Sequence, residues 1–538
     1  MKHLSRFFGT VALVAAAALA FTACDSSGGD DGPPPPPPYI ITDSGTTFTA
    51  TLSGSTIEGA DGVAIGSVIS AIRTHAEEDD IRIQFGSGGA NVLDIGTASV
   101  SFNNTGSNWG QITLSGGITS ANAAANSGTI VVMDDVTITS TANIANTAAD
   151  ENGRAIYHNS TGTLNINGGK VEAGTGQAIN IATGGLVNVS GNAEIAAANT
   201  TAGTGTIVLA HIDARLYMTG GKVSNTQDTT SNESNAILNS TSTQGIRVGT
   251  TDNDAIRISG GTVDGNNGHA IRINAGGRIT ISEDNPGVQT IITSEKYSQS
   301  DANAGTISLR AAAARLYMTG GRVENTRPST ATNPRGDAIF MREPNNAEAI
   351  VVSGGIVESI TGAAIWSMGS GRVNISGTAL ITSSSRPVAA TEAMATIIHG
   401  STIGGITISG GTVRNTTSQT NGRAINNSSS AQALVITGGT IDGNIGTAIW
   451  SMYGGVITIS EDNPEVKTII TSVNTNANQG TIRLYDTTAG TLTITSGRVE
   501  NTAAPAPNAH AITRAGSQEV RAALDTVIPR PDWVLPLE

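Results

Sequence analysis

The chain repeats itself, and from about residue 112 to residue 515 that repetition constrains the fold more than any local motif. Gly260-Gly261-Thr262-Val263-Asp264-Gly265 returns as Gly438-Gly439-Thr440-Ile441-Asp442-Gly443, and the match runs on without a gap to Thr293-Ser294 and Thr471-Ser472. Ala214-Arg215-Leu216-Tyr217-Met218-Thr219-Gly220-Gly221 returns as Ala314-Arg315-Leu316-Tyr317-Met318-Thr319-Gly320-Gly321. Beneath these copies runs a shorter unit. An alternating segment ends in Gly-Gly at 168–169, 220–221, 260–261, 320–321, 354–355, 410–411 and 438–439, each followed by one residue and then Val or Ile. Many units then carry an Ala-Ile step, as in Ala270-Ile271, Ala424-Ile425 and Ala448-Ile449. The segments alternate with period two between small turn residues, and a cycle takes roughly 20 to 25 residues.

Three short strands per cycle without helical periodicity predict an all-β chain: a single-stranded right-handed parallel β-helix, or solenoid. Aliphatic residues would stack inward and Thr, Asn, Ser and Arg face water. Gly-Gly would supply the positive φ of sharp corners. At about 4.8 Å per coil, roughly 18 to 20 coils would make a rod of about 90 Å. Composition agrees. Aromatics are 3% of the chain, and charged residues 13%, about half the roughly 25% of ordinary domains. A propeller or sandwich would carry longer strands and more rings.

The ends read differently. Residues 67–78 predict a helix with Val68, Ile69, Ile72 and Ala76 on one face, followed by an alternating strand over 81–85. This resembles the amphipathic cap helix of pectate-lyase-like β-helices. Residues 518–526 predict a short helix, after which Pro529, Pro531 and Pro536 block further pairing. The organisation is therefore 1–23, an export signal; 24–38, a tether; 39–111, a cap with the first coils; 112–515, the repeats; and 516–538, a second cap.

Lys2 and Arg6 precede an apolar core at 11–21, too short to span a bilayer, and Phe21-Thr22-Ala23-Cys24 closes the segment. The segment resembles a bacterial lipoprotein signal, which implies a lipid on Cys24, a membrane partner and an exported protein. An acidic Gly/Ser stretch and the prolines 33–38 then form a flexible and a stiff spacer. Acidic residues after such a cysteine resemble a signal for display at the outer membrane or cell surface. Cys24 is the single cysteine, which excludes an intrachain disulfide and a multi-cysteine zinc site. A formal charge of −14 and a pI near 5.0 argue against a nucleic-acid partner.

No local motif carries catalysis, a cofactor or a metal. Asp134-Asp135 on a strand would point to opposite faces. Glu283-Asp284 and Glu461-Asp462 occur in identical copies beside Asn-Pro, which reads as turn chemistry. Asp252 and Asp254 are the one pair with a cation-like spacing. The seven histidines are scattered, without ligand spacing, and read as solvated loop or coil residues. The residue after each Ala-Ile step should point outward. That column runs Tyr157, Asn180, Leu238, Arg257, Arg272, Phe340, Trp366, Asn426, Trp450, Thr513, and four of the ten are aromatic. Rings flanked by Arg and Asn suit stacking against sugars. The candidate binding residues are Tyr157, Arg257, Arg272, Phe340, Trp366 and Trp450, with Tyr217 and Tyr317 as a second outward set. The competing reading buries these rings under loops.

The expected function is a surface-tethered, non-catalytic β-helix binding extracellular carbohydrate or a cell-surface partner. In periodicity over 112–515 it resembles adhesin-like and pectate-lyase-like β-helix proteins, and its Gly-x-Ala-Ile recurrence resembles passenger repeats of polymorphic surface proteins. The alternatives are a polysaccharide lyase or glycoside hydrolase, with acids assembled across coils, and a structural spacer.

Overall fold

The structure is a computed structural model that describes residues 35–76, 80–88, 91–104, 109–201, 203–228, 234–244, 254–297, 305–328, 335–385, 394–400, 404–428, 434–452, 455–476, 479–485, 491–503, 509–514 and 519–522. The export signal, Cys24, most of the tether and the C-terminal prolines lie outside the described residues. The fold is all-β and mostly parallel, with one helix among the described residues, Ile65–Ala76.

Where the strands of a turn stay separate, each pairs in parallel with the third strand before it and the third after it. Thr163–Ile166 lies between Ile138–Ser140 and Leu186–Val189. Lys170–Ala173 lies between Asn143–Asn146 and Glu194–Ala197. Gln177–Ile181 lies between Arg154–Ser160 and Gly205–Leu209. Three ladders follow in chain order. The third is a 15-stranded sheet, and the first and second merge into a 29-stranded one.

That merger departs from the expected three separate strands per cycle. Arg215–Asn225, Ile256–Asp264, Gly405–Asn415 and Leu434–Asp442 run straight through their Gly-Gly steps and belong to both ladders. Between Ile256–Asp264 and Gly405–Asn415 the pairings consequently close a circuit of ten strands. The corner chemistry itself is as expected. The second glycine of all seven steps has positive φ, between 71° and 91°. A side chain is excluded there twice over, since a Cβ on Gly261 would stand 2.5 Å from the Gly221 carbonyl oxygen one rung away.

The core is a set of vertical aliphatic stacks. In the third ladder one inward column reads Ile130, Ile156, Ile179, Ile207, Ile237, Ile271, Ile307, Ile339, Ile365, Ile397, Ile425, Ile449, Ile482, Ile512, rung against rung. All but the last are buried, and full burial of each such side chain stabilises by about 1.5–3 kcal/mol. The rungs number fifteen, fewer than the 18 to 20 expected. A turn takes 23 residues from Ile156 to Ile179 but 36 from Ile271 to Ile307. Fourteen steps of about 4.8 Å give roughly 67 Å.

One device emerges only in three dimensions. Ile144-Ala145-Asn146-Thr147, Val223-Ser224-Asn225-Thr226, Val323-Glu324-Asn325-Thr326, Val413-Arg414-Asn415-Thr416 and Val499-Glu500-Asn501-Thr502 each leave the second ladder through a clamp. The asparagine Oδ1 accepts the N–H two residues on, at Ala148, Gln227, Arg327, Thr417 and Ala503. Its Nδ2 donates to a carbonyl one turn back, at Asn122, Asn199, Lys296, Ser385 and Asn474. In four of the five it also donates to a carbonyl near the entry to the third ladder, Arg154, Asp337, Arg423 or His510. The threonine hydroxyl donates to the rung before.

At the N-terminal end Tyr39–Asp43, Phe48–Leu52 and Ser55–Gly62 form an antiparallel meander, and Tyr39–Asp43 also covers the edge of Ile81–Phe85. Residues Val68, Ile69, Ile72 and Ala76 are buried on one helix face, as expected. At the other end the expected helix is absent from its described part. Glu519–Ala522 is a strand that pairs with Thr491–Ile494 and extends the first ladder, because ladder pairing there outweighs local preference. Asn325→Ala removes donors and acceptor from a buried site and should destabilise by about 3 kcal/mol in urea unfolding.

Candidate functional site

Nine of the ten residues of the expected outward column do share one column of the third ladder. In register it reads Tyr157, Asn180, Val208, Leu238, Arg272, Ser308, Phe340, Trp366, Ile398, Asn426, Trp450, Arg483, Thr513. Arg257 is the exception and stands in the first ladder. Val208, Ser308, Ile398 and Arg483 were missed because their steps are Thr206-Ile207, Thr306-Ile307, Thr396-Ile397 and Thr481-Ile482. The usable signal was a small residue before Ile, not alanine alone.

The column points away from the aliphatic stacks, but its large rings are covered. Phe340 is fully buried, Trp366 is 6% exposed and Trp450 2%. Phe340 and Trp366 form a second apolar cluster with Ala363, Met394, Ala395 and Ile398, separate from the main core. The Arg335 guanidinium lies 3.9 Å from the Trp366 ring centroid, and Arg423 and Arg483 lie 3.7 and 4.2 Å from that of Trp450. Arg272 is likewise buried, its Nε donating to Asn274. The expectation of an open row of stacking rings is corrected: removing such large apolar surface from water is favourable, and these rings are covered. Of the candidate aromatics on the third ladder only Tyr157 stays half-exposed, its hydroxyl 3.3 Å from Asn126.

The open aromatic face belongs to the first ladder. Its outer column runs Tyr217, Arg257, Thr280, Tyr317 on successive rungs. About 4.8 Å per rung places the two tyrosines roughly 14 Å apart. Both rings and Arg257 are half-buried. Arg257 pairs with Asp284 at 3.5 Å. Arg278 pairs with the buried Asp254 and reaches within 5.6 Å of the Tyr317 ring centroid. The Tyr317 hydroxyl donates to Glu348 at 2.5 Å. Burial and that carboxylate raise the Tyr317 phenol above its ordinary range, and burial does the same for Tyr217. Both phenols therefore stay neutral donors across the physiological range. The result is a column with two half-buried rings and an ion-paired cation between them.

The acidic motifs that the structure describes are engaged locally. Asp134 takes φ of 60°, so the two aspartates are not splayed across a strand; both carboxylates hold Asn104 instead. The turn reading of the Asn-Pro copies fits Val288 N–H donating to Asn285 O and Glu465 N–H to Asn463 Oδ1. Asp252 lies outside the described residues, and Asp254 is taken by Arg278. Among the described residues no group of three or more His, Cys, Asp or Glu gathers as a metal site would need.

Three histidines correct the solvated reading. His158, His269 and His399 are buried in the third ladder. Burial pushes His158 and His399 down to about 4, and His269 well below its usual value.

Comparisons with protein-family models, with curated proteins and with solved structures find no match to the chain.

The buried histidines set an acid limit. Above pH 6.5 they are neutral whether the chain is folded or unfolded, and stability is full. As pH falls from 6.5 to 4 the unfolded chain takes up protons that the folded chain refuses. His158 and His399 should each remove about 3 kcal/mol by pH 4. Urea midpoints measured across that window should fall steeply, and His399→Asn should flatten the slope.

Proposed function

We propose that this chain is a single-stranded parallel β-helix, acylated at Cys24 and tethered through residues 24–38 to a bacterial membrane, and that it binds extracellular carbohydrate without catalysis. The β-helix reading is supported by parallel ladders in which each turn of chain pairs with the turn before it and the turn after it. Right-handed winding is the hand that parallel crossovers take in about 98% of cases.

The observation that carries the binding reading is the half-exposed column Tyr217, Arg257, Thr280, Tyr317. Tyrosine offers a rigid apolar face for the C–H side of a sugar ring and a hydroxyl for its edges. Arg257 and Thr280 between them supply donors along the same line. Side chains spaced along successive rungs suit a chain-like ligand lying across them more than a small molecule. The adhesin-like role follows from this face combined with the tether. The column expected at Phe340, Trp366 and Trp450 takes no part in it.

Two measurements test the two halves. On a glycan array the full chain should give a signal that a Tyr217→Ala/Tyr317→Ala double variant weakens about 10-fold or more, each ring contributing about 0.5–1.5 kcal/mol. Unchanged glycan signals in that variant would exclude the face. Cys24→Ala should move the protein from the membrane fraction to the soluble fraction on cell fractionation.

A further inference from the structure

Arg483 is a half-buried cation to which no carboxylate among the described residues is joined. It occupies the outer column of the third ladder, with Trp450 on the rung before and Thr513 on the rung after. Its guanidinium lies 4.2 Å from the Trp450 ring centroid and 4.8 Å from that of Tyr485. Those two rings are 5.2 Å apart and inclined by 32°. The rung before Trp450 contributes a second cation, Arg423, 3.7 Å from the same indole. Two guanidinium groups thus bracket one indole in a chain whose formal charge is −14.

Ring contacts use the faces of a guanidinium, whereas its five N–H donors lie at the edge. Those of Arg483 meet no acceptor among the described residues, although burial has already stripped part of their water and holds the pKa below its ordinary value. The Trp450 indole N–H is likewise buried and meets no acceptor among the described residues. Donors gathered without acceptors are costly unless something arrives to accept them. Tyr485 is 40% exposed, so the cluster opens to solvent at that ring.

We propose that Arg483 and Tyr485, backed by Trp450, form a binding site for a sugar that bears a carboxylate or sulfate group. The anionic oxygens sit on the Arg483 edge, in the two-pronged geometry that a guanidinium favours. The sugar ring lies on the exposed face of Tyr485. This site is on a different ladder from Tyr217 and Tyr317 and stands or falls independently of them.

The test is calorimetric titration of the full chain at low salt with four probes: a galacturonate tetramer, a sulfated dextran oligosaccharide, a neutral dextran oligosaccharide and sodium sulfate. At least one acidic oligosaccharide should bind more tightly than both the neutral one and free sulfate, and which one binds separates the carboxylate from the sulfate source. Arg483→Gln should weaken that binding about 10- to 100-fold, since a charge-assisted hydrogen bond is lost. Arg483→Lys, which keeps the charge, should lose less, and Tyr485→Ala should weaken binding about 3- to 10-fold. The Tyr217→Ala/Tyr317→Ala variant should bind the acidic probe as the parent does. Absence of acidic binding, or affinity unchanged in Arg483→Gln, would overturn the site. Sulfate alone binding as tightly as the oligosaccharides would overturn the role of Tyr485.

Discussion

Everything in this molecule depends on like side chains sitting directly over one another. A parallel ladder places residues of the same parity in vertical register, so an isoleucine on one rung meets an isoleucine on the next for fourteen rungs of the third ladder. The same register decides what faces out. Once Ile156, Ile339 and Ile449 are fixed inward, Tyr157, Phe340 and Trp450 must stand on the opposite side. Stability is shared between neighbouring rungs, with little contributed by contacts within a single turn. The strict spacing of the inward columns follows from that dependence.

The two outer faces then diverge in character. On the third ladder, bulky rings and guanidinium groups meet segments that fold back over them, and Phe340 and Trp366 end in a second apolar cluster of their own. On the first ladder the outer residues are smaller or longer and thinner: Thr280, Asn374, Thr407, Arg257, with two tyrosines. The face stays partly exposed there, its arginines paired with Asp254 and Asp284 and the Tyr317 hydroxyl bonded to Glu348. Alternation sets the direction of the aromatics, and the side chains packed over Phe340 and Trp366, such as Met394 and Ala395, set their burial.

Most of the fold was legible because its signals are local. Alternation, the Gly-Gly corners and the apolar face of Val68, Ile69, Ile72 and Ala76 all lie within a few residues of sequence. Less was legible where the deciding partner sits a turn away. Nothing local tells that Arg257 follows the inward stack of the first ladder while Arg272 follows that of the third, since both come after Ala-Ile. The covering of Trp366 by Met394 and Ala395, the burial of His158 and His399 and the strand at Glu519–Ala522 are likewise set by neighbouring rungs. The asparagine corner was present in the sequence as Val-x-Asn-Thr. Its meaning needed the carbonyls at Lys296 and Asp337, which stand on either side of Asn325 along the chain.

That corner has an evolutionary consequence. In four of its five copies Asn146, Asn325, Asn415 and Asn501 grip both banks of the connection that follows, holding the chain where it departs and close to where it rejoins. Whatever lies between is released from any duty to the core. Eight residues separate the gripped points at Asn415, and twelve at Asn325, with the same grip. The protein is thus built as a rigid chassis with interchangeable inserts along one seam, where new surface can be tried without disturbing a single aliphatic stack.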